Sequence, residues 1–348
     1  MLRFITRKLV YGMLVLLGVV ILVFFLFQGF GDPARLVIGQ TGDSATINNI
    51  RKELALDQPK WKQFVLYLND ISPISVYSKE DIATRELKGI FIGTDTKLAI
   101  KFPYLRRSYQ TRKEVSSILM EALPGTLVLA FTAMFIATVL GILLGVLAAV
   151  KQNTWMDTSA VFASVLGISA PSFFMGIILA YLFGFMLSDY TGLHMTGSLY
   201  EYDVFEGKQL QLQNLILPAI TLGIRPLAII TQLTRSAMLD VLSMDYIRTA
   251  YAKGLSRKAV VFKHALRNAL NPVVTAITGW FAELLAGAFF VEYIFGWKGI
   301  GKVTVDALEK LDFPVVMGSV LLTATFFIMV NILADILYGV IDPRVRLH

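Results

Sequence analysis

The sequence predicts an all-α membrane protein of six transmembrane helices, with a sizeable external segment between the first and the second. Three observations predict it. The 348 residues are 55% hydrophobic and only 16% charged, against about 25% charged in ordinary soluble domains, and the mean hydropathy is +0.64. Six apolar runs reach the roughly 20 residues that a helix needs to cross a bilayer, and backbone groups in lipid are satisfied within helices or closed barrels. There is no cysteine, and the three histidines, His194, His264 and His348, lack helical metal-ligand spacing. Disulfides, thiolate metal sites and cysteine nucleophiles are therefore excluded, and no metal or other cofactor is expected.

The first run, 9–27, follows Arg3, Arg7 and Lys8. It is too long for a signal-peptide core, and "FQGFGDPARL" offers no A-x-A cleavage site, so a retained first helix is expected within residues 1–28. The second and third runs, 122–150 and 158–188, carry no charge and exceed the length needed, so they tilt or protrude. The fourth, 215–234, is broken only by Arg225, and the fifth, 272–291, only by Glu283. The sixth, 313–334, continues past Asp335. Pro171 and Pro226 interrupt the third and fourth runs, as tolerated kinks or as bends that let a pathway open.

Direction follows from the Lys/Arg asymmetry of short loops. With the N-terminus in the cytoplasm, the inner segments 1–8, 151–157, 235–271 and 342–348 hold thirteen Lys/Arg, and the outer loops 189–214 and 292–312 hold four. Both termini of this multi-pass membrane protein are thus expected in the cytoplasm. The bias also accounts for the net charge of +7 without nucleic acid.

Residues 29–112 form an external cap region, and 113–348 a core holding the remaining helices. In the cap, Ile47, Ile50 and Leu54 share one helical face, and Trp61, Phe64, Val65 and Leu68 repeat the pattern after Pro59, so two short helices are expected. "GIFIG" and "KLAIKF" lean towards strands in 71–107, giving a small hairpin that is either a packed cap or a docking surface.

The stretch "FGWKGIGKV", 295–303, imitates a phosphate-binding loop: Gly296, Gly301 and Lys302 fit G-x-x-x-x-G-K. Val303 stands where a magnesium-binding hydroxyl is required, and the loop follows an outward-running span, away from ATP. Its glycines are expected to make a turn at the external mouth.

The cytoplasmic loop 235–271 contains "SMDYIRTAYAKGLSRKAVVFKHALRNALNP". Ser243 suits an N-cap, Asp245 the positive helix end, and Gly254 a C′ position, giving a helix of about ten residues. Ile247, Ala250, Tyr251 and Gly254 share one face, with Arg248 and Lys253 elsewhere. Such a helix either lies on anionic lipid or docks into a groove on a partner. A second helix is expected after Ser256.

The chain resembles the integral-membrane permease subunit of ATP-binding-cassette importers, in the dipeptide/oligopeptide branch. That family has a coupling loop of pattern E-A-A-x-x-x-G, matched here at Arg248, Thr249, Ala250 and Gly254, of which Ala250 and Gly254 keep the general motif. The peptide branch reads R-T-A-x-A-K-G, which "RTAYAKG" fits. In the downstream I-x-L-P, only Leu266 matches. "GDPAR" (31–35), "LALDQP" (54–59), "EALPGTL" (121–127), "LTRSAMLDVL" (233–242) and "NILADILYGVIDPRVR" (331–346) are similar to the same branch, while 71–107 looks like an insertion. The resemblance implies a non-catalytic subunit forming half of a di/oligopeptide pathway. Implied partners are a second homologous permease subunit, two ATPase subunits, an extracytoplasmic solute-binding protein, the peptide and the bilayer. Arg248, Thr249, Ala250, Tyr251 and Gly254 are then the ATPase-coupling residues. Related permeases carry metal chelates, opines or sugars, so another small solute is the alternative. A stand-alone secondary transporter is disfavoured by the lack of visible repeats, and a membrane-embedded hydrolase by the lack of a paired acid or nucleophile–base set.

Ionisable groups in mid-membrane are costly and normally meet a partner or a wet cavity. Arg225 and Glu283 fall near half depth. They form a mutual ion pair, or face the pathway and meet the charged termini of a peptide, or pair with the second permease subunit. Asn331 and Asp335, one helical turn apart, are expected to anchor helix packing or an inner gate.

Overall fold

The computed structural model describes residues 2–28, 57–85, 87–94, 96–203, 205 and 207–341. The amphipathic stretch around Ile47–Leu54, "GDPAR" and the tail 342–348 lie outside the described residues. In chain order come α1 (Leu2–Gln28), α2 (Lys60–Ile71), β1 (Ile74–Ser78), α3 (Lys79–Thr84), β2 (Gly89–Ile92) and β3 (Thr96–Lys101). They are followed by α4 (Val115–Val150), α5 (Trp155–Ser169), α6 (Ser172–Tyr181) with a π-helical turn Leu182–Met186, α7 (Ser188–Thr191) and the hairpin β4 (Tyr200–Asp203) and β5 (Gly207–Leu210). Next are α8 (Gln213–Leu242), α9 (Asp245–Ala252), α10 (Arg257–Ala259) with a π-helical turn Val260–Ala265, and α11 (Leu266–Gly287). The chain closes with α12 (Phe289–Ile294), α13 (Ile300–Glu309) and α14 (Phe313–Ile341).

Among the described residues four helices, in α1, α4, α8 and α14, are long and apolar enough to cross a membrane, and α5 with α6 makes a fifth if that pair is one span. The interruption expected at Pro171 in the third run is a sharp one: the chain bends by 109° between α5 and α6. Pro171 lacks the N–H that would continue the helix, and it stands at the N-terminal boundary of α6 with extended backbone. Pro226 interrupts nothing, since α8 runs unbroken through Pro218 and Pro226.

Two compact units form. One gathers Leu14–Glu121 with Val303–Leu322, and the other Met1–Met13, Ala122–Lys302 and Thr323–His348. This grouping differs from the expected blocks 29–112 and 113–348, because Ala307, Val315 and Val316 pack on Val115 and Leu119. In this first unit β1, β3 and β2 make an antiparallel sheet in that order, so the strand-like reading of "GIFIG" and "KLAIKF" holds and a third strand joins them. One sheet face buries Tyr77 and Ala99 with Leu87. Beside it Asp70, 1% exposed, receives Arg85 Nη1 at 2.7 Å, Arg106 Nε at 2.8 Å and the Tyr77 hydroxyl at 3.0 Å. The other face lines up Ile74, Ile100 and Ile90, then Val76, Leu98 and Ile92, all exposed.

In the second unit α4 meets α8 closely at two glycines four residues apart. A Cβ on Gly141 would lie 2.8 Å from Ile230 Cγ2, and one on Gly145 would lie 2.5 Å from Thr234 Cβ. Small residues at this spacing let helix backbones approach in a bilayer. A separate apolar cluster joins the ends of α4 and α8 to α9 and the following turn, through Val146, Ala149, Met238, Val241, Ile247, Ala250, Val260 and Val261.

Candidate functional site

The loop 235–271 forms the expected short helix, which is shorter than ten residues and capped differently. α9 covers Asp245–Ala252, and Met244 stands at its N-cap position. Ser243 does not cap it, because its hydroxyl donates to the Asp240 carbonyl at 2.7 Å and so satisfies the end of α8. Gly254 adopts φ +78°, the left-handed stop that glycine takes without strain. Ile247 and Ala250 are 2% and 7% exposed, so burial of Ile247 alone contributes about 1.5–3 kcal/mol to holding the helix on its own chain. Tyr251 does not share that buried face; it is exposed, as are Arg248 and Thr249. The outward face is therefore Arg248, Thr249, Tyr251 and Ala252, and Ala250 faces inward.

Polar contacts brace this element. Asn268 Nδ2 donates to the Tyr246 hydroxyl at 2.9 Å, and the helix expected after Ser256 is present as α10, capped by the Ser256 hydroxyl accepting from Ala259 N at 3.4 Å. Arg257 Nη2 reaches the Val150 carbonyl at 3.1 Å. Asp157, at the start of α5, binds Arg235 of α8 through Nε and through Nη2, the latter at 2.8 Å, and accepts Asn153 N at 3.0 Å. Hydrogen bonding from Arg235 holds the Asp157 carboxyl below the usual carboxylate range.

Arg225 and Glu283 do not form the mutual pair. The Arg225 guanidinium lies 5.9 Å from the centroid of the Trp280 ring, a cation–π distance, and no ion pair joins it to Glu283. Both side chains are exposed on the chain's surface. Each sits on a polar stripe. α8 presents Arg225, Gln232, Ser236 and Asp240 at i, i+7, i+11 and i+15, and α11 presents Asn268, Asn271, Thr275, Gly279 and Glu283 at i, i+3, i+7, i+11 and i+15. All of these are exposed except the half-buried Gln232. Such spacing keeps residues on one helix face. The sequence contained this signal, but it emerges only when polar rather than apolar positions are counted round the helix.

On α14, Asn331 Nδ2 donates to the Phe327 carbonyl at 2.8 Å, and Asp335 pairs with Lys8 Nζ at 2.8 Å. Both contacts stay within this chain's helices and do not join the midspan charges.

The glycine-rich loop 295–303 binds a carboxylate of its own chain. Glu292, fully buried, accepts the Thr126 hydroxyl at 2.7 Å, Gly301 N at 2.7 Å and Lys302 N at 3.2 Å. Thr126 in turn accepts Ile300 N at 2.8 Å. A Cβ on Gly299 would collide with all three atoms of the Glu292 carboxylate, and one on Gly301 would lie 2.5 Å from Phe289 Cα. Gly296, at φ +64°, turns the chain, and Trp297, wholly buried, donates Nε1–H to the Gly125 carbonyl at 2.9 Å. The backbone N–H groups that resemble an anion cradle are thus occupied by a side chain. Sequence reasoning missed Glu292, which follows the fifth apolar run and reads there as a rim charge. Among the described residues, no group of three or more His, Asp or Glu could hold a metal.

The profile described as "Binding-protein-dependent transport system inner membrane component" matches residues 141–347, and its N-terminal companion matches 1–130. The chain belongs to this family of inner-membrane transport components. It is 38% identical to the dipeptide transport system permease protein DppB of Escherichia coli K12, over 99% of both chains. To the DppB of Alkalihalophilus pseudofirmus it is 33% identical, over 99% of this chain and 100% of that one. The glutathione transport system permease protein GsiC of Salmonella paratyphi A is 36% identical, over 99% of both. Among solved structures, an inward-facing MetNI methionine ABC transporter aligns with TM-score 0.50 and 16% identity, over 65% of this chain and 97% of that one. That likeness concerns the fold.

Proposed function

We propose that this chain is the permease subunit of an ATP-driven importer of di- and oligopeptides, forming one half of the translocation pathway. The observation that carries the pathway assignment is the pair of polar stripes on α8 and α11, the two helices that flank α9. Polar side chains exposed along otherwise apolar spans belong against a wet cavity or a partner, since lipid would penalise them. The relatives named for dipeptides and glutathione support a short-peptide cargo.

In this reading α11 completes six crossings, and both termini are cytoplasmic. A second homologous permease closes the pathway, two ATPase subunits dock below, and an extracytoplasmic binding protein delivers cargo above. Arg248, Thr249, Tyr251 and Ala252 present the docking face, while Ile247 and Ala250 fasten α9 to its own chain and Gly254 ends it. ATP drives the cycle only to the extent that it binds the two pathway states with different affinity.

The natural absence of cysteine makes single-cysteine labelling direct. Thr275→Cys, Gly279→Cys and Ser236→Cys are expected to react with a membrane-impermeant thiol reagent in the assembled transporter. Phe135→Cys, on an apolar exposed stretch of α4, is expected to stay silent. Equal silence at all four positions refutes the lining. Crosslinks from Arg248→Cys and Tyr251→Cys are expected to capture the ATPase, with Ala250→Cys as the internal blank; capture from none of them refutes the docking face.

A further inference from the structure

Arg225 and Glu283 share a feature that the pathway assignment alone does not use. Each is an exposed charge in an otherwise apolar span, of opposite sign to the other, and neither has an ion-pair partner among the described residues. Arg225 is held over Trp280, and Glu283 has no hydrogen-bond or ion-pair partner among the described residues. Trp280 and Glu283 are three residues apart on α11, so they share a face and are separated by about 4.5 Å of helix rise. The Arg225 guanidinium thus lies against the half-buried Trp280 ring, and Glu283 stands about one turn further along the same face of α11. An extended dipeptide spans at most about 7 Å between its ends.

We propose that Arg225, Trp280 and Glu283 form a midspan cradle for a short zwitterionic peptide. Arg225 receives the terminal carboxylate, Glu283 the terminal ammonium, and the indole face lies along the chain between them. The assignment rests on the reading of α8 and α11 as pathway lining. A guanidinium presents paired N–H donors that match a carboxylate, and an ammonium satisfies an acid that would otherwise stand alone. Below the cradle the stripes offer neutral groups, Gln232, Ser236, Asn271 and Thr275, which give a released peptide only weak competing sites. The next charge on either stripe is Asp240, fifteen residues along α8 from Arg225.

The test uses the transporter assembled with its delivery protein and ATPases in proteoliposomes. Uptake of dialanine, its N-acetyl form and its C-terminal amide is measured at levels that saturate the delivery protein. That protein is the same in every sample, so its own preferences cancel between wild type and variant. Arg225→Gln is expected to reduce the preference for the free carboxylate over the amide about tenfold, the scale of one charge-assisted hydrogen bond, and to spare the preference for a free ammonium. Glu283→Gln is expected to do the reverse. Wild-type ratios in both variants, or equal loss of both preferences in each, overturn the cradle. Should Arg225→Gln fail to assemble, Glu283→Gln decides by itself, because its effect is confined to N-acetylated cargo. Thiol labelling at Thr275→Cys and Gly279→Cys separates the two failures. Labelled positions with unchanged ratios reject the cradle and leave the lining intact, whereas silent positions reject the lining.

Discussion

Replacing Gly299 with alanine should be damaging for one reason, the Glu292 carboxylate, and removing that carboxylate should make the same replacement nearly harmless. The three atoms nearest to a Cβ at residue 299 are Glu292 Cδ, Oε2 and Oε1. Forcing a methyl into that space costs about 1–3 kcal/mol. Glu292→Ala alone orphans Gly301 N and Lys302 N and removes the acceptor of the Thr126 hydroxyl. At about 1–3 kcal/mol per buried unpaired group, a loss of roughly 3 kcal/mol follows. The double variant should cost little more than Glu292→Ala alone, giving a coupling energy of about 2 kcal/mol, within the range for contacting residues. Thermal unfolding of the detergent-solubilised protein, followed by size-exclusion fluorescence, reads the cycle, with each kcal/mol worth about 2–4 °C. Gly301→Ala is the control. Its added carbon would also meet the Phe289 backbone, which Glu292→Ala does not clear. If the Gly299 and Glu292 losses simply add, the carboxylate is not what requires glycine at that position.

Two further predictions concern the Asp157–Arg235 pair and the packing of α4 on α8. Asp157→Asn should cost about 1–3 kcal/mol at neutral pH by weakening a charge-assisted pair. The folded-state carboxyl lies below its usual range, so the contribution of the pair is complete above the ordinary carboxylate value and is lost as pH falls through the lowered one. The gap in melting temperature between wild type and variant should accordingly close in acid, and a gap constant from neutral to acidic pH refutes the assignment. Gly145→Leu should reduce assembled protein in membranes severely, because its Cβ would lie 2.5 Å from Thr234 Cβ and 2.7 Å from the Thr231 carbonyl. Gly18→Leu, with nothing within 4 Å, should be tolerated, and equal yields from the two variants exclude tight α4–α8 packing.

The spans were legible because lipid as a solvent imposes a simple demand. Runs such as 122–150 must be apolar almost throughout, whatever they pack against, and 122–150 falls inside α4. Strand-leaning segments in 71–107 were legible from their β-branched residues. What escaped reading depended on tertiary partners. The Asp157–Arg235 pair joins residues 78 positions apart, and nothing local marks either one. Ser243 is a good helix cap by type, but the carbonyl of Asp240 reached it first. Arg225 and Glu283 were found as exceptions in apolar runs, yet their arrangement depended on Trp280, which reads as one more hydrophobic residue. The glycines of 295–303 signalled a backbone that wraps an anion. The signal was sound, and the anion proved to be a neighbouring side chain.

The hydrophilic ridge on α11 also bears on how the protein is made. A nascent segment leaves the insertion machinery sideways according to its own free energy of transfer, and a charge near its centre adds about 2.5–3.5 kcal/mol to that step. With Glu283 and two asparagines on one side, α11 is a poor candidate for solitary exit. A polar face on a neighbouring span, such as that of α8, lowers the cost of that step when the two lie side by side in lipid. Polar positions that suit a wet cavity are thus a liability during synthesis, and the order in which the helices emerge bears on how that cost is met.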